Sequence, residues 1–318
     1  MSDHVRFFDG KPSLFQNIPV RARCLALLRE FFTARGFIEV ETPIVCTSPG
    51  VETHLAAMPV SCMNRTMYLT TSPEFHMKRL VSVGFDRVFQ VTRAFRDGER
   101  GERHNPEFTM VEWYRRDCDY GVIMDDIQEL LRHVAMGIGG RLEFPGIEGV
   151  RGPISLENDF RRVTMVQAFA ELGLPSPFGM TLEERDQVAV DHLDFHLGRH
   201  EPEFLIEYPA DQASLARKKP EDPRVAERFE LYCGGLELEN GFSELADADE
   251  YLERCRIDLA ERARLGLPQY PIDEHYVSML RDGMPVCAGT ALGFDRLVML
   301  ACGARTIRDV IAFPWDQA

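Results

Sequence analysis

The sequence VFQVTRAFRDGERGERHNPEFTMVEWY occupies residues 88–114 of the chain. Residues 87–96 and 107–114 are rich in apolar and β-branched side chains, and a polar stretch of about ten residues separates them. This pattern predicts two strands joined by a loop. Every second residue of the return strand shares one face, which carries Phe108, Met110, Glu112 and Tyr114. The stretch therefore predicts a hairpin that presents a charged loop.

The loop of this hairpin is strongly cationic. Nine residues contain Arg96, Arg100, Arg103 and His104. Guanidinium groups bind phosphate oxygens through paired hydrogen bonds, so the cluster suits a polyanionic ligand. Phe108 follows the loop, where its ring could stack on a purine base. A solvated, charged hairpin tip is the alternative interpretation of the same composition.

A second hairpin is predicted from FELYCGGLELENGFSEL, residues 229–245, because Gly234-Gly235 is a strong two-residue turn signal. The predicted cross-strand pairs are Cys233 with Leu236, Tyr232 with Glu237, and Glu230 with Glu239. Glu230 and Glu237 then become diagonal neighbours on one face, roughly 7–8 Å apart. Two carboxylates that converge without a basic partner suit Mg²⁺ brought in with nucleotide phosphates. An exposed acidic hairpin is the alternative.

The third informative segment is GTALGFDRLVML, residues 289–300. Its alternating small residues allow close approach of a ligand to the backbone, and they are Gly289, Ala291 and Gly293. A helix is predicted to begin near Asp295. Arg296 in the first turn is unfavourable for the helix dipole, so an anionic partner such as phosphate explains it better. An Asp or Glu elsewhere in the chain is an equally valid partner.

The order of the remaining predicted helices and strands is mixed, and antiparallel hairpins dominate over β-α-β alternation, which favours an α+β fold with a central antiparallel sheet. The predicted helices span 18–36, 122–136, 163–172, 181–198 and 247–265, with another that opens at Ser72 as N-cap, has Pro73 in its first position and ends at Gly84. The predicted strands span 37–41, 204–208, 229–233, 236–240 and 284–288.

Composition restricts the class of function. The chain has 318 residues, 51 acidic against 36 basic, and a formal net charge of −15. Nucleic-acid binding usually needs a basic face, so extensive tRNA contact is not expected. Eight scattered cysteines without a C-x-x-C pair argue against zinc and favour a reducing cytoplasm. The sequence contains no apolar run near the ~20 residues of a membrane span, no signal peptide and no P-loop.

Together, these segments resemble the three signature motifs of class II aminoacyl-tRNA synthetases, in the correct order. The helix and strand that end at Pro43 resemble motif 1, the dimer-forming element; the 88–114 hairpin resembles motif 2; GTALGFDR resembles motif 3. HNPEFTM, GGLELENGFSEL, YPADQASLAR and TIRDVIAFP are most similar to lysyl-tRNA synthetases. The resemblance implies a homodimer and a class II catalytic core over 18–318, with a central antiparallel sheet flanked by helices, after an N-terminal extension over 1–17.

The resemblance also implies roles for individual residues. Arg96 and Arg296 would be catalytic, holding the phosphates of ATP during adenylation. The implied ATP site comprises Arg96, Asp97, Gly98, His104, Asn105, Phe108, Glu237, Leu238, Gly293 and Arg296, and the implied Mg²⁺ ligands are Glu230 and Glu237. The implied amino-acid site comprises Ser72, Pro73, Glu74, Glu112, Tyr114, Asn240, Phe242, Glu244 and Ala291. Several carboxylates and no obvious Lys or Arg fit a dicationic, lysine-type amino acid.

Several features differ from a standard lysyl-tRNA synthetase. Only about 17 residues precede the motif 1 helix, so no N-terminal anticodon-binding β-barrel is expected. Gly98 stands where the family has Glu, Ala291 where it usually has Gly, and Ser72 where Ala is typical. These features resemble the paralogues that activate (R)-β-lysine and attach it to a lysine of elongation factor P. A truncated synthetase that charges an RNA, and a non-catalytic amino-acid-sensing paralogue, remain alternatives.

Overall fold

A nine-stranded mixed sheet organises the computed structural model, which describes residues 12–147, 151–193 and 196–318. The strands of this sheet are β1 Ile38–Glu39, β5 Arg87–Phe95, β6 Glu107–Arg116, β9 Arg161–Thr164, β10 Glu203–Pro209, β11 Lys218–Lys219, β12 Asp222–Cys233, β13 Leu236–Ser243 and β14 Cys287–Gly293. Eight of them follow the order β1-β5-β6-β14-β13-β12-β10-β9, and β11 pairs with β12. The small strands are β2 Val45–Cys46, β3 Pro59–Cys62, β4 Arg65–Leu69, β7 Glu143–Phe144 and β8 Ile154–Ser155.

The predicted motif 2 hairpin is confirmed. β5 and β6 pair antiparallel from Arg87 opposite Arg115 to Phe95 opposite Glu107. The centre of the sheet is antiparallel throughout, as expected. Both ends of the strand order are parallel instead, since β1 pairs parallel with β5 and β9 parallel with β10. These two parallel pairs make the sheet mixed. Each parallel pair requires a crossover connection between its two strands.

The second hairpin has the predicted turn but a shifted register. Gly234 and Gly235 both adopt positive φ, of 61° and 71°, as a type I′ turn requires. Two of the three predicted pairs form, but the third is wrong: Glu230 lies opposite Asn240, and Glu239 opposite Leu231. The register shifts by one residue at a β-bulge between Leu231 and Tyr232. A bulge moves every later side chain of the strand to the opposite face.

Helices cover both faces of the sheet. They are α1 Pro12–Ala34, α2 Glu74–Ser82, α3 Tyr120–Gly139, α4 Met165–Glu171, α5 Leu182–Val188, α6 Ala248–Arg264, α7 Glu274–Gly283 and α8 Phe294–Cys302. Buried residues of α1, α3 and α8 pack with Trp113 and Leu292 on one face. Buried residues of α2, α6 and α7 pack with Tyr114 and Val88 on the other face. Of the described helices, none has the length and apolar character that a membrane span requires.

Several predicted boundaries moved. α1 begins at Pro12, before the predicted position 18, and the strand predicted at 284–288 is β14, Cys287–Gly293. The helix predicted at 181–198 consists of α5 and a π-helical turn, Ala189–Leu193, and residues 194–195 lie outside the described part. The sequence pattern did not predict α7 or the small sheet of β2, β4 and β3. The strands of the small sheet have only two to five residues, too few for a clear periodic signal. For α7 a signal exists, because Asp273 caps an amphipathic segment whose buried face includes Tyr276 and Leu280.

The start of α2 also differs from the prediction. Pro73 occupies the N-cap position, and Ser72 precedes it. The Ser72 hydroxyl nevertheless accepts a hydrogen bond from the Glu74 N–H at 3.0 Å. The same hydroxyl donates to Glu112 at 2.6 Å, so Ser72 joins the first turn of α2 to strand β6.

An aromatic cluster anchors α1 to the sheet. The fully buried Phe32 ring stacks on Phe89 with centroids 4.7 Å apart and contacts Trp113 at 5.0 Å.

Replacing Phe32 with Ala is expected to lower the free energy of unfolding by about 3–5 kcal/mol, since it removes buried surface and leaves a cavity. Urea unfolding followed by circular dichroism measures the change. The matched control is Ile257→Ala on α6, where the side chain is 61 % exposed, with an expected effect within about 0.5 kcal/mol. Equal effects of the two changes would contradict this packing model.

Candidate active site

A cavity of about 350 Å³ opens on the face of the sheet that α2 covers. Its floor follows the pairing of three strands, because Glu112, Ala291 and Asn240 lie side by side on β6, β14 and β13. The next row on the same face is Tyr114, Gly289 and Phe242. The two-residue period of a strand directs both rows into the cavity. The volume lies within the range of about 300–1,000 Å³ that is common for small-molecule sites.

The cavity brings most of the predicted site residues together. Its wall includes Ser72, Glu74, Arg96, His104, Asn105, Phe108, Glu112, Tyr114, Glu237, Leu238, Asn240, Phe242, Glu244, Ala291, Gly293 and Arg296. Residues that the sequence did not assign to the site also contribute, among them Glu52, Leu55, Ser214, Thr290 and Ile307. Glu52, Leu55 and Ser214 lie outside the named strands and helices, and no periodic pattern could place them beside the sheet.

Four predicted site residues do not line this cavity: Pro73, Asp97, Gly98 and Glu230. Asp97 donates its backbone N–H to the Ala56 carbonyl at 2.7 Å. Gly98 has a φ of 79°, a left-handed conformation that favours glycine, so this residue serves the turn of the loop. Glu99, the next residue, lines the cavity and lies 3.6 Å from Arg96.

One end of the cavity, the cationic end, carries Arg96, His104 and Arg296. The Arg96 guanidinium lies over the Phe108 ring, 5.2 Å from its centroid. Arg296 donates to the Glu237 carbonyl and approaches His104 Nε2 at 2.6 Å. Burial, and next the Arg296 charge, lower the pKa of His104. A neutral His104 accepts a hydrogen bond from Arg296, which leaves the guanidinium charges of this end available to an anion.

A buried carboxylate holds the motif 3 helix against motif 2. Asp295, in the first turn of α8, accepts from the Thr109 N–H at 2.7 Å and from Arg21 at 2.5 Å. Arg21 also donates to the Thr109 hydroxyl at 2.8 Å. These bonds join α1, β6 and α8, so they fix Arg296 beside the neighbouring strand. The sequence singled out Arg296, but it gave no signal for the Arg21–Asp295 pair, whose members are 274 residues apart.

The bulge alters the predicted diagonal relation of Glu230 and Glu237, because Glu230 lies opposite Asn240, three residues from Glu237. The premise that the two carboxylates lack a basic partner is wrong. Arg228 donates to Glu230 at 2.7 Å, and the Tyr232 hydroxyl donates to the second oxygen at 3.0 Å. Burial and then the Glu237 charge raise the pKa of Glu230. Glu237 is more accessible, with 43 % of its side chain exposed, and lies 3.7 Å from Arg296. Within the described ranges, no cluster of three or more potential metal-ligating His, Cys, Asp or Glu side chains occurs.

The other end of the cavity, the carboxylate end, is lined with acidic side chains. Glu112 accepts from the Ser72 hydroxyl at 2.6 Å and from the Tyr114 hydroxyl at 3.0 Å. Burial and then the Glu74 charge raise the pKa of Glu112 to about 7. Burial raises the pKa of Glu244 to about 8, against the lowering effect of the nearby Lys78 ammonium. This end of the cavity therefore favours a cationic ligand, because a cation offsets the cost of ionising these buried carboxyls.

The expectation that no Lys or Arg serves this end of the cavity is wrong. Lys78 is completely buried, and its ammonium forms ion pairs with both Glu74 and Glu244. The Nζ atom also lies 5.0 Å from the centroid of the Phe242 ring. Burial lowers the pKa of Lys78, but Glu244 and Glu74 raise it more, so the net shift is well upward. Lys78 is an internal ammonium that holds two carboxylates of the site in place.

Glu239 illustrates the effect of the bulge. Opposite Leu231 and Leu292, it points to the core face of the sheet and is 1 % exposed. One carboxyl oxygen has no hydrogen-bond partner, and the other accepts from the Thr290 hydroxyl at 3.4 Å. Burial raises the pKa of Glu239 well above its ordinary value. Burial at this position therefore favours the neutral form of the Glu239 carboxyl.

Comparison with known proteins places this site in a family. Residues 4–317 match the model described as tRNA synthetases class II (D, K and N). The chain is 42 % identical to elongation factor P–(R)-β-lysine ligase of Yersinia enterocolitica, over 95 % of this chain and 96 % of the relative. The ligases of the same name from Salmonella gallinarum and Pectobacterium carotovorum are 43 % and 42 % identical over the same shares. The chain belongs to the class II synthetase family, in its elongation factor P–(R)-β-lysine ligase branch.

In this class II enzyme, the two catalytic motifs meet at one strand pair. Motif 2 forms β5, its loop and β6, while motif 3 forms β14 and α8. β6 and β14 pair antiparallel from Arg116 opposite Cys287 to Met110 opposite Gly293. Motifs 2 and 3 therefore share a single antiparallel surface, with the cationic end and the carboxylate end of the cavity side by side.

The buried acid in this ligase gives a testable pH effect. Because the pKa of Glu239 is raised in the folded state, its contribution to stability is fully present at low pH and is lost as pH rises above about 4.5. The isosteric Glu239→Gln variant lacks this titration. Its advantage in free energy of unfolding over the wild type is expected to grow between pH 5 and pH 8, by up to about 1.4 kcal/mol per pH unit.

Urea unfolding of both proteins at pH 5, 6.5 and 8 measures the difference. Glu253→Gln on α6, whose side chain is 62 % exposed, is the matched control and should stay within about 0.5 kcal/mol of the wild type at each pH. A Glu239→Gln advantage that is constant or shrinks with pH is inconsistent with a neutral buried acid.

Proposed function

We propose that this protein uses ATP to activate (R)-β-lysine as an acyl-adenylate and transfers it to a lysine side chain of elongation factor P. The observation that carries the proposal is one cavity with a cationic end, Arg96 and Arg296, beside a carboxylate end, Glu74 and Glu244. The three similar ligases, matched over nearly their full length, support the choice of substrate and acceptor.

Charge favours a diammonium substrate. The carboxylate end contains the carboxyl groups of Glu52, Glu74, Glu112 and Glu244, and Lys78 is the buried cation among them. One ammonium cannot balance four carboxyls, so this end of the cavity favours protonated carboxyls or additional cations. An amino acid with two ammonium groups supplies those cations, while a monoamine leaves part of the charge uncompensated.

In the first step, a carboxylate oxygen of the amino acid attacks the α-phosphorus of ATP. A new P–O bond forms, the bond to the β-phosphate oxygen breaks, and pyrophosphate leaves. Arg96 would hold the α-phosphate, and Arg296 with His104 would hold the terminal phosphates. These groups act by positioning and by neutralising charge, so no covalent enzyme intermediate is required.

The residues present fit a magnesium ion carried in with the phosphates. Mg²⁺ commonly takes one or two protein carboxylates together with phosphate oxygens and water. We propose that Glu237, which faces the cavity, contacts the ion. Glu230 would act beside it, through the negative charge that remains after its hydrogen bonds from Arg228 and Tyr232. The ion supplies charge neutralisation when it is bound.

In the second step, the unprotonated amine of an acceptor lysine attacks the carbonyl carbon of the adenylate. The C–N bond forms, the bond between the carbonyl carbon and the phosphate oxygen breaks, and AMP leaves. The amine gives up a proton in the process, and the product is an amide. The acidic rim of the cavity would attract a basic loop on a protein acceptor, whereas the net charge of −15 disfavours extensive contact with tRNA.

Two further properties belong to the proposal. All eight cysteines are free, which is consistent with a cytoplasmic location. A homodimer through the motif 1 region is supported by a set of exposed apolar side chains, namely Ile38, Ile44, Val45, Val83 and Phe85. Ile38 lies on the edge strand β1, and exposed apolar groups at an edge strand are typical of a protein interface.

ATP–pyrophosphate exchange tests the activation step. Wild-type protein is expected to exchange fastest with (R)-β-lysine among the isomers of lysine, and Glu244→Gln is expected to reduce kcat/KM by at least about 30-fold, since it removes a buried partner of the distal ammonium. Lys78→Met, which removes the buried ammonium that pairs with Glu244, is measured alongside. A thermal melt of each variant reports whether it folds and so separates a structural loss from a binding loss. Exchange that prefers α-lysine contradicts the choice of substrate.

Transfer is tested with the two possible acceptors. Incubation with ATP, Mg²⁺ and (R)-β-lysine should raise the mass of elongation factor P by one lysyl residue, in a bond that survives mild base. An RNA acceptor instead predicts label that ribonuclease and mild base release. Binding of the amino acid without any exchange or transfer supports a sensing role and overturns the ligase proposal.

The dimer is tested by sedimentation. Ile38→Glu places a charge on the exposed edge strand β1, and it is expected to convert a dimer into a monomer at micromolar concentration. Ile257→Glu, on the exposed side of α6, is the matched control and should leave the sedimentation coefficient unchanged. A wild-type monomer at the same concentration contradicts the proposed interface.

A further inference from the structure

The segment of residues 50–57 forms part of the cavity wall, although it contains no regular element. Its backbone is firmly held by α6. Arg262, which is 1 % exposed, donates to the carbonyls of Glu52 at 2.9 Å and Leu55 at 3.0 Å. Asp258 accepts from the Thr53 hydroxyl at 2.7 Å and from its N–H at 3.2 Å. The position of residue 52 relative to the cavity is therefore fixed by the fold.

The side chain of Glu52 has no such partner. Its backbone is held, but in the part of the chain that the structure describes, no other residue donates a hydrogen bond or an ion pair to its carboxylate. The carboxylate lies over Gly50, in space that a side chain there would fill. It lines the same cavity as Glu74 and Glu244. Burial and next the Glu74 charge raise the pKa of Glu52 to about 7.

Glu74 is in the opposite situation. One of its oxygens is already paired with Lys78, which also pairs with Glu244. The charges that act on Glu52 are those of Glu74, Asp258 and Lys78, and each of the two carboxylates acts more strongly than the ammonium. A fixed carboxylate in a cavity, beside like charge and without its own cation, is a favourable position for the ammonium group of a ligand.

The ammonium group nearest the carboxyl of the proposed substrate, a β-amino acid, does not occupy the position that the α-ammonium of an α-amino acid takes. In a β-amino acid the ammonium is one carbon farther from the carboxyl group that attacks ATP. If the carboxyl group is fixed at the cationic end of the cavity, this ammonium needs a hydrogen-bond acceptor displaced from the one that serves an α-ammonium. We propose that Glu52 is a specificity-determining residue that binds the ammonium next to the activated carboxyl and thereby favours the β-amino acid. This inference rests on the proposed function.

The experiment compares ligands that differ only in this ammonium. Wild type, Glu52→Gln, Glu52→Asp and the control Glu253→Gln are assayed by ATP–pyrophosphate exchange with (R)-β-lysine and with α-lysine. 6-Aminohexanoic acid, which retains the distal ammonium but lacks the other, is tested as a competitive inhibitor. Glu52→Gln is expected to lower kcat/KM for (R)-β-lysine at least about tenfold, and to lower the ratio of β-lysine to α-lysine activity.

The inhibition constant of 6-aminohexanoic acid should change less than about threefold in the same variant, because that ligand has no ammonium for residue 52 to bind. Glu52→Asp should recover part of the (R)-β-lysine activity, since it restores the charge. Glu253→Gln should match the wild type throughout. A thermal melt confirms that each variant is folded.

Two results overturn the inference while leaving the proposed function intact. In one, Glu52→Gln exchanges with (R)-β-lysine as fast as the wild type does. In the other, the variant weakens 6-aminohexanoic acid as much as (R)-β-lysine, which indicates a general loss of the site. Wild-type protein that exchanges with no isomer of lysine is a different outcome, since it contradicts the proposed function itself and, with it, this role of Glu52.

Discussion

Glu112, Ala291 and Asn240 lie in one row across β6, β14 and β13, and the two-residue period of a strand directs their side chains into the cavity. The same pairing turns the alternate residues, such as Trp113 and Leu292, into the hydrophobic core. A slip by one residue in any of these strands would bury the site and expose the core. The packing of α1, α3 and α8 therefore protects the register on which the chemistry depends.

The concentration of carboxylates on that surface creates an electrostatic problem that the fold solves in two ways. Lys78, fully buried in α2, pairs with Glu74 and Glu244 and so prevents their mutual repulsion from opening the site. The bulge in the β12–β13 hairpin sets Glu239 opposite Leu231 and Leu292, where it is buried and burial raises its pKa well above the ordinary value. Both devices keep the site acidic enough for a cationic amino acid and still compatible with a packed sheet.

The sequence allowed the central elements to be predicted, because each has a strong local signal. Alternation marked β6, the Gly-Gly turn marked the β12–β13 hairpin, and the helix predicted to begin near Asp295, after the small residues of β14, is α8. Short or irregular segments had no such signal. The register of the hairpin beyond its turn was missed, since a bulge follows from packing on both sides of the strand and not from the turn residues.

The sequence by itself determined the family, the order of its motifs and the residue types at the two ends of the site, because those depend on local spacing and on chemical identity. Only the tertiary structure decided which charges compensate each other. Lys78 appears in the sequence as one more basic residue of a helix, and Glu52 as one acid in a loop. Their roles arise from distances between segments far apart in the chain, such as α2, β13 and the loop held by α6, and those distances exist only after the sheet has assembled.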